Sequence, residues 1–308
     1  MISYLIKRLL QGALVLFLVT FLTFYVMYKM PGDPARNMVG QARVTDAQLD
    51  LIRDKWNLND GFWSRYTTWL GNLFSGDLGT SMMRPGQAIG DMIQSASWMT
   101  FQLTSMAMII SLSIAIPVGV LAATRRNSVL DYLTTLGSTL GVAVPNYWIG
   151  IMAIVLFSVQ LGWLPPYGAD SWKGYILPVI VLSIEEMAAV MRLMRGTTIE
   201  VLGQDYVKTA QAKGLKQNLI LTRHVVRNAL LPVITLIGYR MAFILSGTIV
   251  IETIFSWPGL GQLFFDAITN QDMQVVQAIV LLLAALVVIM NILTDLMYAV
   301  VDPRVRVR

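Results

Sequence analysis

Hydrophobic positions along the chain fall into long unbroken runs rather than into stripes. A helix that buries one face in a soluble core repeats its apolar residues every three or four positions, whereas one that crosses a hydrocarbon layer of about 30 Å needs roughly 20 apolar residues in succession. Runs of the second kind lie near residues 9–28, 98–123, 132–161, 175–193, 228–251 and 275–301. The pattern predicts an all-α membrane protein with six transmembrane helices. Pro117, Pro145 and Pro178 fall inside these runs or at their ends. Kinks are expected there, because packed neighbours can satisfy the backbone groups that a proline leaves unpaired.

Lys7 and Arg8 precede the first run, as in a secretory signal. The run is too long for one, however, and ends in Val26, Met27, Tyr28 and Lys29 where a cleavage site would place small residues, so the segment reads as a retained anchor. The chain then divides into an amino-terminal span (1–30), a polar extracytoplasmic region (31–97), a five-span domain (98–301) and a short cytoplasmic tail (302–308). In the polar region Thr45 and Gln48 stand at capping-box spacing, opening a short helix with Leu49, Ile52 and Trp56 on one face. Phe62, Trp63, Tyr66, Trp69 and Phe74 concentrate aromatics after it. Such a segment either lies at headgroup level or forms a small cap packed on the spans. Neither reading implies catalysis.

Composition agrees with the bilayer as solvent. Of 308 residues 56% are hydrophobic and 13% charged, and the mean hydropathy is +0.62, outside the balance of a water-soluble domain. The absence of cysteine removes disulfides, thiolate metal sites and cysteine nucleophiles from consideration. The net charge of +5 is informative through its distribution. With the amino terminus inside, the cytoplasmic face gathers Lys7, Arg8, Arg125, Arg126, Arg192, Arg195, Lys208, Lys213, Lys216, Arg223, Arg227, Arg304, Arg306 and Arg308. Aspartates such as Asp33, Asp77, Asp170 and Asp272 offset the basic residues outside. The positive-inside bias places both termini in the cytoplasm and explains the basic balance without nucleic acid. No inverted repeat of the kind that marks many secondary transporters is visible.

Between the fourth and fifth runs, residues 200–215 read as a short helix ended by Gly214, which can take the left-handed conformation. His224, Arg227 and Asn228 then lead through Leu231 and Pro232 into the fifth span, Pro232 being early enough in that helix to be tolerated. A stiff helix joined directly to two spans can transmit force from a partner that grips it. An ordinary interfacial loop is the alternative.

With these residues in view, the chain resembles the inner-membrane permeases of ABC importers, and within them the dipeptide, oligopeptide and nickel branch. The resemblance covers nearly the whole length. The family's coupling loop reads Glu-Ala-Ala, then Gly, then Leu-Pro. Here Lys208-Thr209-Ala210 occupies the first part, Gly214 the second and Leu231-Pro232 the last. The glutamate is missing and the spacing to Leu-Pro is longer, a variant similar to the peptide branch. Pro31-Gly32-Asp33-Pro34, Gly76-Asp77-Leu78-Gly79-Thr80-Ser81, Glu252-Thr253-Ile254-Phe255-Ser256-Trp257-Pro258-Gly259-Leu260-Gly261 and Asp302-Pro303-Arg304 add further marks, in order.

The resemblance implies a bacterial or archaeal plasma-membrane permease that pairs with a second, similar permease. It further implies two ATPase subunits beneath the pair and an extracytoplasmic solute-binding protein above it. The loop 196–227, with Asp205, Tyr206, Thr209, Ala210, Ala212, Lys213 and Gly214, would be the handle through which nucleotide-driven closure tilts the spans. No phosphate-binding Gly-x-x-x-x-Gly-Lys-Ser/Thr loop is present. ATP and Mg are therefore expected on partner subunits, with no cofactor and no catalysis on this chain.

Glu185 and Glu186 lie about 11 residues into the fourth run and Arg240 about 11 into the fifth, roughly 16 Å deep at 1.5 Å per residue. Unpaired charge there costs roughly 2.5–3.5 kcal/mol or more per residue, so a Glu-to-Arg pair is expected. It either lines the translocation path or only fixes the packing of two helices. Asp295, near the inner end of the sixth run, reads as a local interfacial pair. Met187, Met191 and Met194 stand at helical spacing and read as packing residues rather than a metal path. The solute stays open among dipeptides, oligopeptides, nickel complexes, glutathione and haem. A proton-coupled secondary transporter, which also uses mid-membrane Glu and Arg, is the more distant alternative. A membrane enzyme finds little support: the sole histidine, His224, sits in the loop, and no His-Glu-x-x-His occurs.

Overall fold

The computed structural model describes residues 2–40, 42 and 44–301, with side chains described at 6–40, 42, 44–238, 240 and 248–292. Asp302-Pro303-Arg304, the tail arginines and the Asp295 side chain lie outside the described residues. In chain order the helices are α1 (Ile2–Lys29), α2 (Pro34–Val39), α3 (Asp46–Lys55), α4 (Phe62–Phe74), α5 (Ile89–Thr124), α6 (Val129–Ala143) and α7 (Asn146–Ala153). They continue as α8 (Trp172–Leu202), α9 (Asp205–Ala212), α10 (Gln217–Leu219), α11 (Arg227–Gly247), α12 (Ile249–Ile254), α13 (Leu260–Thr269) and α14 (Met273–Val301). Two segments, Ile154–Gln160 after α7 and Ile220–Val226 after α10, are π-helical.

Among the described residues, four helical stretches are long and apolar enough to cross a membrane: Ile6–Lys29, Ile89–Thr124, Gln217–Gly238 and Met273–Ile292. The pair Val129–Ala143 and Asn146–Gln160 adds a fifth if its two arms count as one span, but the arms meet at 97°. The kink expected at Pro145 within the 132–161 run is thus a sharp bend that divides the run into two helices. The cause is local. Val144 precedes Pro145, whose ring clashes with a helical backbone at the residue before it. Val144 accordingly sits at φ −87°, ψ 125° and Pro145 at φ −61°, ψ 134°, both extended. Pro117 and Pro178, by contrast, lie within continuous helices. The fifth run is also interrupted, α11 giving way to α12 at Thr248. Helix α8 continues past residue 193 to Leu202, so Glu200 belongs to it and the short helix expected over 200–215 is confined to Asp205–Ala212.

The chain forms two compact units, one from the segments up to Met99 and from Gly259 onward, the other from Thr100–Pro258. In the first, α1 runs along α14 and also meets α4. Phe62 of α4 sets its ring edge-on against Phe24 and Tyr28 of α1, and the buried Tyr66 does the same against Phe21. The aromatic segment thus packs as a cap on α1 through Phe62 and Tyr66, leaving Trp63 and Phe74 exposed. The capping box of α3 forms as expected, the Thr45 hydroxyl accepting from the Gln48 amide while the Gln48 side chain accepts from the Thr45 amide. Asp272, buried, accepts the Ser81 hydroxyl at 2.5 Å and the amides of Met82 and Met83.

In the second unit α8 is the hub, with α6, α7, α11 and α12 packed on it. Small residues bring backbones together where lipid supplies no hydrophobic drive between helices. A Cβ built on Gly119 would stand 2.9 Å from the Met191 carbonyl oxygen, and one on Gly141 2.9 Å from the Ala188 Cβ. Around these approaches Ala115, Val120, Val190, Met194, Ala229 and Val233 form a buried core. Hydroxyls tie the helices further, Ser111 donating to the Ser183 carbonyl at 3.0 Å and Thr197 to the Ala229 carbonyl at 3.0 Å.

Candidate functional site

Helix α9 is the short helix expected from the sequence. Gln204 enters in extended conformation, Asp205 occupies the first turn, and Lys208 reaches back to it at 2.9 Å. The negative charge at the amino end and the cation after it both suit the helix dipole. Gly214 closes the turn at φ 75°, a value that costs a residue with a Cβ about 1–2 kcal/mol.

One face of α9 is anchored. Val207 and Ala210, three residues apart, are buried against Ile220 and Val225 of the π-helical segment that runs into α11. Asn228 Nδ2 donates to the Tyr206 hydroxyl at 2.9 Å, adding a polar tie to α11. Of the seven loop residues singled out in the sequence, Ala210 faces inward, while Asp205, Tyr206, Thr209, Ala212, Lys213 and Gly214 are exposed. Val207, Ile220 and Val225 were not singled out from the sequence, nor was the bond of Asn228 to Tyr206. The one available signal was the apolar pair Val207 and Ala210 at i, i+3.

The three charges expected at mid-membrane depth come together. Arg240 Nη1 donates to Glu186 Oε1 at 2.6 Å and lies 4.0 Å from Glu185 Oε1. Asn146, the first residue of α7 after the bend, donates through Nδ2 to Glu185 Oε2 at 2.5 Å. Asn146 was not anticipated, since only the turn at Pro145 brings it to α8. Glu185 is the most open of the three charged side chains at 44%, against 22% for Glu186 and 28% for Arg240. Among the described residues, Glu186 Oε2 and Asn146 Oδ1 are buried without a hydrogen-bond partner.

A second pair on α8 was missed as well. Arg195, counted from the sequence among the basic residues of the cytoplasmic face, forms a two-pronged bond to the buried Asp131 of α6, through Nε to Oδ1 and through Nη2 to Oδ2 at 2.9 Å. The Asn127 amide also donates to Asp131 Oδ2, and the Ser128 hydroxyl caps α6 by accepting from the Asp131 amide. The spacing Ser128-x-x-Asp131 was the legible trace. Glu252, fully buried, accepts the Thr100 hydroxyl at 2.7 Å, giving the Glu252-Thr253-Ile254-Phe255 stretch a structural use. Met194 is buried in the α8 core and Met187 and Met191 pack against it, as packing residues do. Among the described residues no cluster of His, Asp or Glu is arranged to hold a metal ion.

Two family models match the chain. The binding-protein-dependent transport system inner membrane component covers residues 115–307, and the amino-terminal model of the same membrane component covers residues 1–100. Among curated proteins, the oligopeptide transport system permease protein AppB of Bacillus subtilis is 40% identical over 315 residues, spanning 99% of each chain. The glutathione transport system permease protein GsiC of Escherichia coli is 37% identical over 309 residues, again 99% of each. With a family model over more than half its length and such relatives end to end, the chain belongs to the inner-membrane permease components of binding-protein-dependent ABC importers, multi-pass membrane subunits that work with separate ATPases.

Proposed function

We propose that this permease forms half of the translocation path of an ATP-driven importer for di- or oligopeptides, driven through α9. The observation that carries the reading is the anchoring of α9. A short helix fixed to the root of α11 by Val207, Ala210, Ile220 and Val225 passes displacement into a span, while its exposed face stays free for an ATPase. Peptides are favoured as solute because the relatives named above are permeases for oligopeptides and for glutathione, itself a tripeptide. Nickel complexes have no comparable support.

In this reading α8, with Glu185 and Glu186 in its length, is a sixth span and both termini are cytoplasmic. The pore is completed by a second, similar permease. Two ATPases bind ATP and Mg below, and a solute-binding protein docks outside. Nucleotide binding favours one of two arrangements of the spans, and hydrolysis returns the other. Glu185, Glu186 and Arg240 border the path.

The test is ATP-dependent uptake of radiolabelled dialanine by vesicles holding the complete complex, native against Gly214→Pro, whose ring cannot reach φ 75°. Uptake is expected to fall at least tenfold with assembly intact. Unchanged uptake would remove α9 as the handle.

A further inference from the structure

The charge cluster on α8 is incomplete in a specific way. It holds two carboxylates and one guanidinium, a net charge of −1, and the guanidinium sits 2.6 Å from Glu186 but 4.0 Å from Glu185. The surplus rests on Glu185, the most exposed member. Two more atoms are unsatisfied, Glu186 Oε2 and Asn146 Oδ1, both buried and both acceptors. Buried acceptors without donors are rare in folded proteins and call for an explanation.

What the cluster lacks is therefore donors and one positive charge. It does not lack acceptors. A water molecule would supply donors without charge. A divalent cation prefers several oxygen ligands with matching negative charge, but one of the two carboxylates is already neutralised by Arg240. A primary ammonium group fits both deficits, with three N–H donors, one charge and no acceptor.

The geometry points to a recognition site for the ammonium group of the transported peptide, in which the Glu185 carboxylate takes the charge and Glu186 Oε2 and Asn146 Oδ1 accept its hydrogens. This rests on the peptide-importer reading above and gives the path a chemical preference of its own, separate from that of the external binding protein. The ammonium has two possible sources, the amino terminus of any peptide or a lysine side chain.

The experiment uses proteoliposomes holding the complete importer, with the solute-binding protein outside and ATP inside. Uptake of radiolabelled dialanine, alanyl-lysine and alanyl-glutamate is compared between the native chain and Glu185→Gln, together with the ATP hydrolysed per peptide delivered. Gln keeps an oxygen for Asn146 and removes only the charge. Because the binding protein is the same in both preparations, any change belongs to the permease.

We expect uptake to fall about tenfold in Glu185→Gln while ATP hydrolysis continues, so that ATP spent per peptide rises, and Glu185→Asp to restore most of the loss. A fall shared by all three peptides assigns the site to the amino terminus, and one confined to alanyl-lysine assigns it to the side chain. Unchanged uptake overturns the proposal. So does a parallel fall in uptake and ATP hydrolysis, which would mark a packing role. Should Glu185→Gln fail to assemble, Asn146→Ala, which removes one orphan acceptor and the donor to Glu185, takes the same readout. A native complex that moves no peptide at all would defeat the peptide reading and this inference with it, whereas native transport with an indifferent Glu185→Gln defeats this inference alone.

Discussion

Helix α8 carries two charge clusters made of the same materials and finished differently. Toward its carboxyl end, Arg195 meets Asp131 with both prongs, and the Asn127 amide takes up Asp131 further, so both carboxylate oxygens have donors. Midway along the helix, Glu185 and Glu186 share one arginine, and acceptors on Glu186 and Asn146 stay empty. A closed pair holds α6 to α8. An open one, in the reading proposed above, leaves part of its interaction for an arriving solute. The comparison separates charges that stabilise a fold from charges available for work.

The largest effect should come from opening the closed pair. Asp131→Ala strands a partly buried guanidinium and is expected to cost about 3 kcal/mol, the low end of the range for breaking such a pair because Arg195 keeps some exposure. Adding Arg195→Met should recover most of that loss, since replacing both members by apolar side chains is often neutral. Thermal melting of the purified chain in detergent checks both, and a native-like melt for Asp131→Ala would erase the contrast. In the same assay Glu185→Gln should shift stability by less than about 1 kcal/mol, because the side chain is half open and still accepts from Asn146. A larger loss there would make the open cluster a second structural clamp.

The smallest effect belongs to a pair outside the spans. Asp33 caps α2 and accepts Arg53 Nη2 at 2.6 Å. Partial burial pushes its carboxyl up, but the bonds from Arg53 and the Ala35 amide, with the Arg53 charge, outweigh that and hold it below the usual carboxylate value. A carboxyl depressed in the folded state stabilises above its unfolded pKa of about 4, and loses that contribution as pH falls through the lower folded value. Protection of the Ala35 amide against hydrogen exchange, measured relative to its intrinsic rate at each pH, should therefore fall in acid, and Asp33→Asn should flatten that dependence. A native profile already flat would rank this pair with the merely decorative ones.

Much of the architecture was legible because one residue type or one short spacing carried it. The apolar runs behind α1, α5 and α14 needed only counting, the α3 capping box only Thr45 and Gln48, and the end of α9 only Gly214. What stayed hidden depended on partners distant in sequence. Nothing near Arg195 announces Asp131, and nothing near Glu185 announces Asn146. A kink at Pro145 was expected from the proline alone, but its size and the delivery of Asn146 to Glu185 were not, because residues on both sides are apolar and the run reads as one span. Glu185, Glu186 and Arg240 could be brought together from depth alone, yet the imbalance among their hydrogen bonds could not.

The contacts of Gly119 and Gly141 with α8 bear on how a stroke would travel through this unit. A hydrogen atom is all that either residue places between its helix and the next. Machinery that drives a load through loose joints wastes the first part of each motion taking up slack. With α5 and α6 seated this closely on α8 at these two points, a stroke of the kind proposed for α9 would meet little backlash there, and the play needed for opening and closing would come from bends such as the one at Pro145.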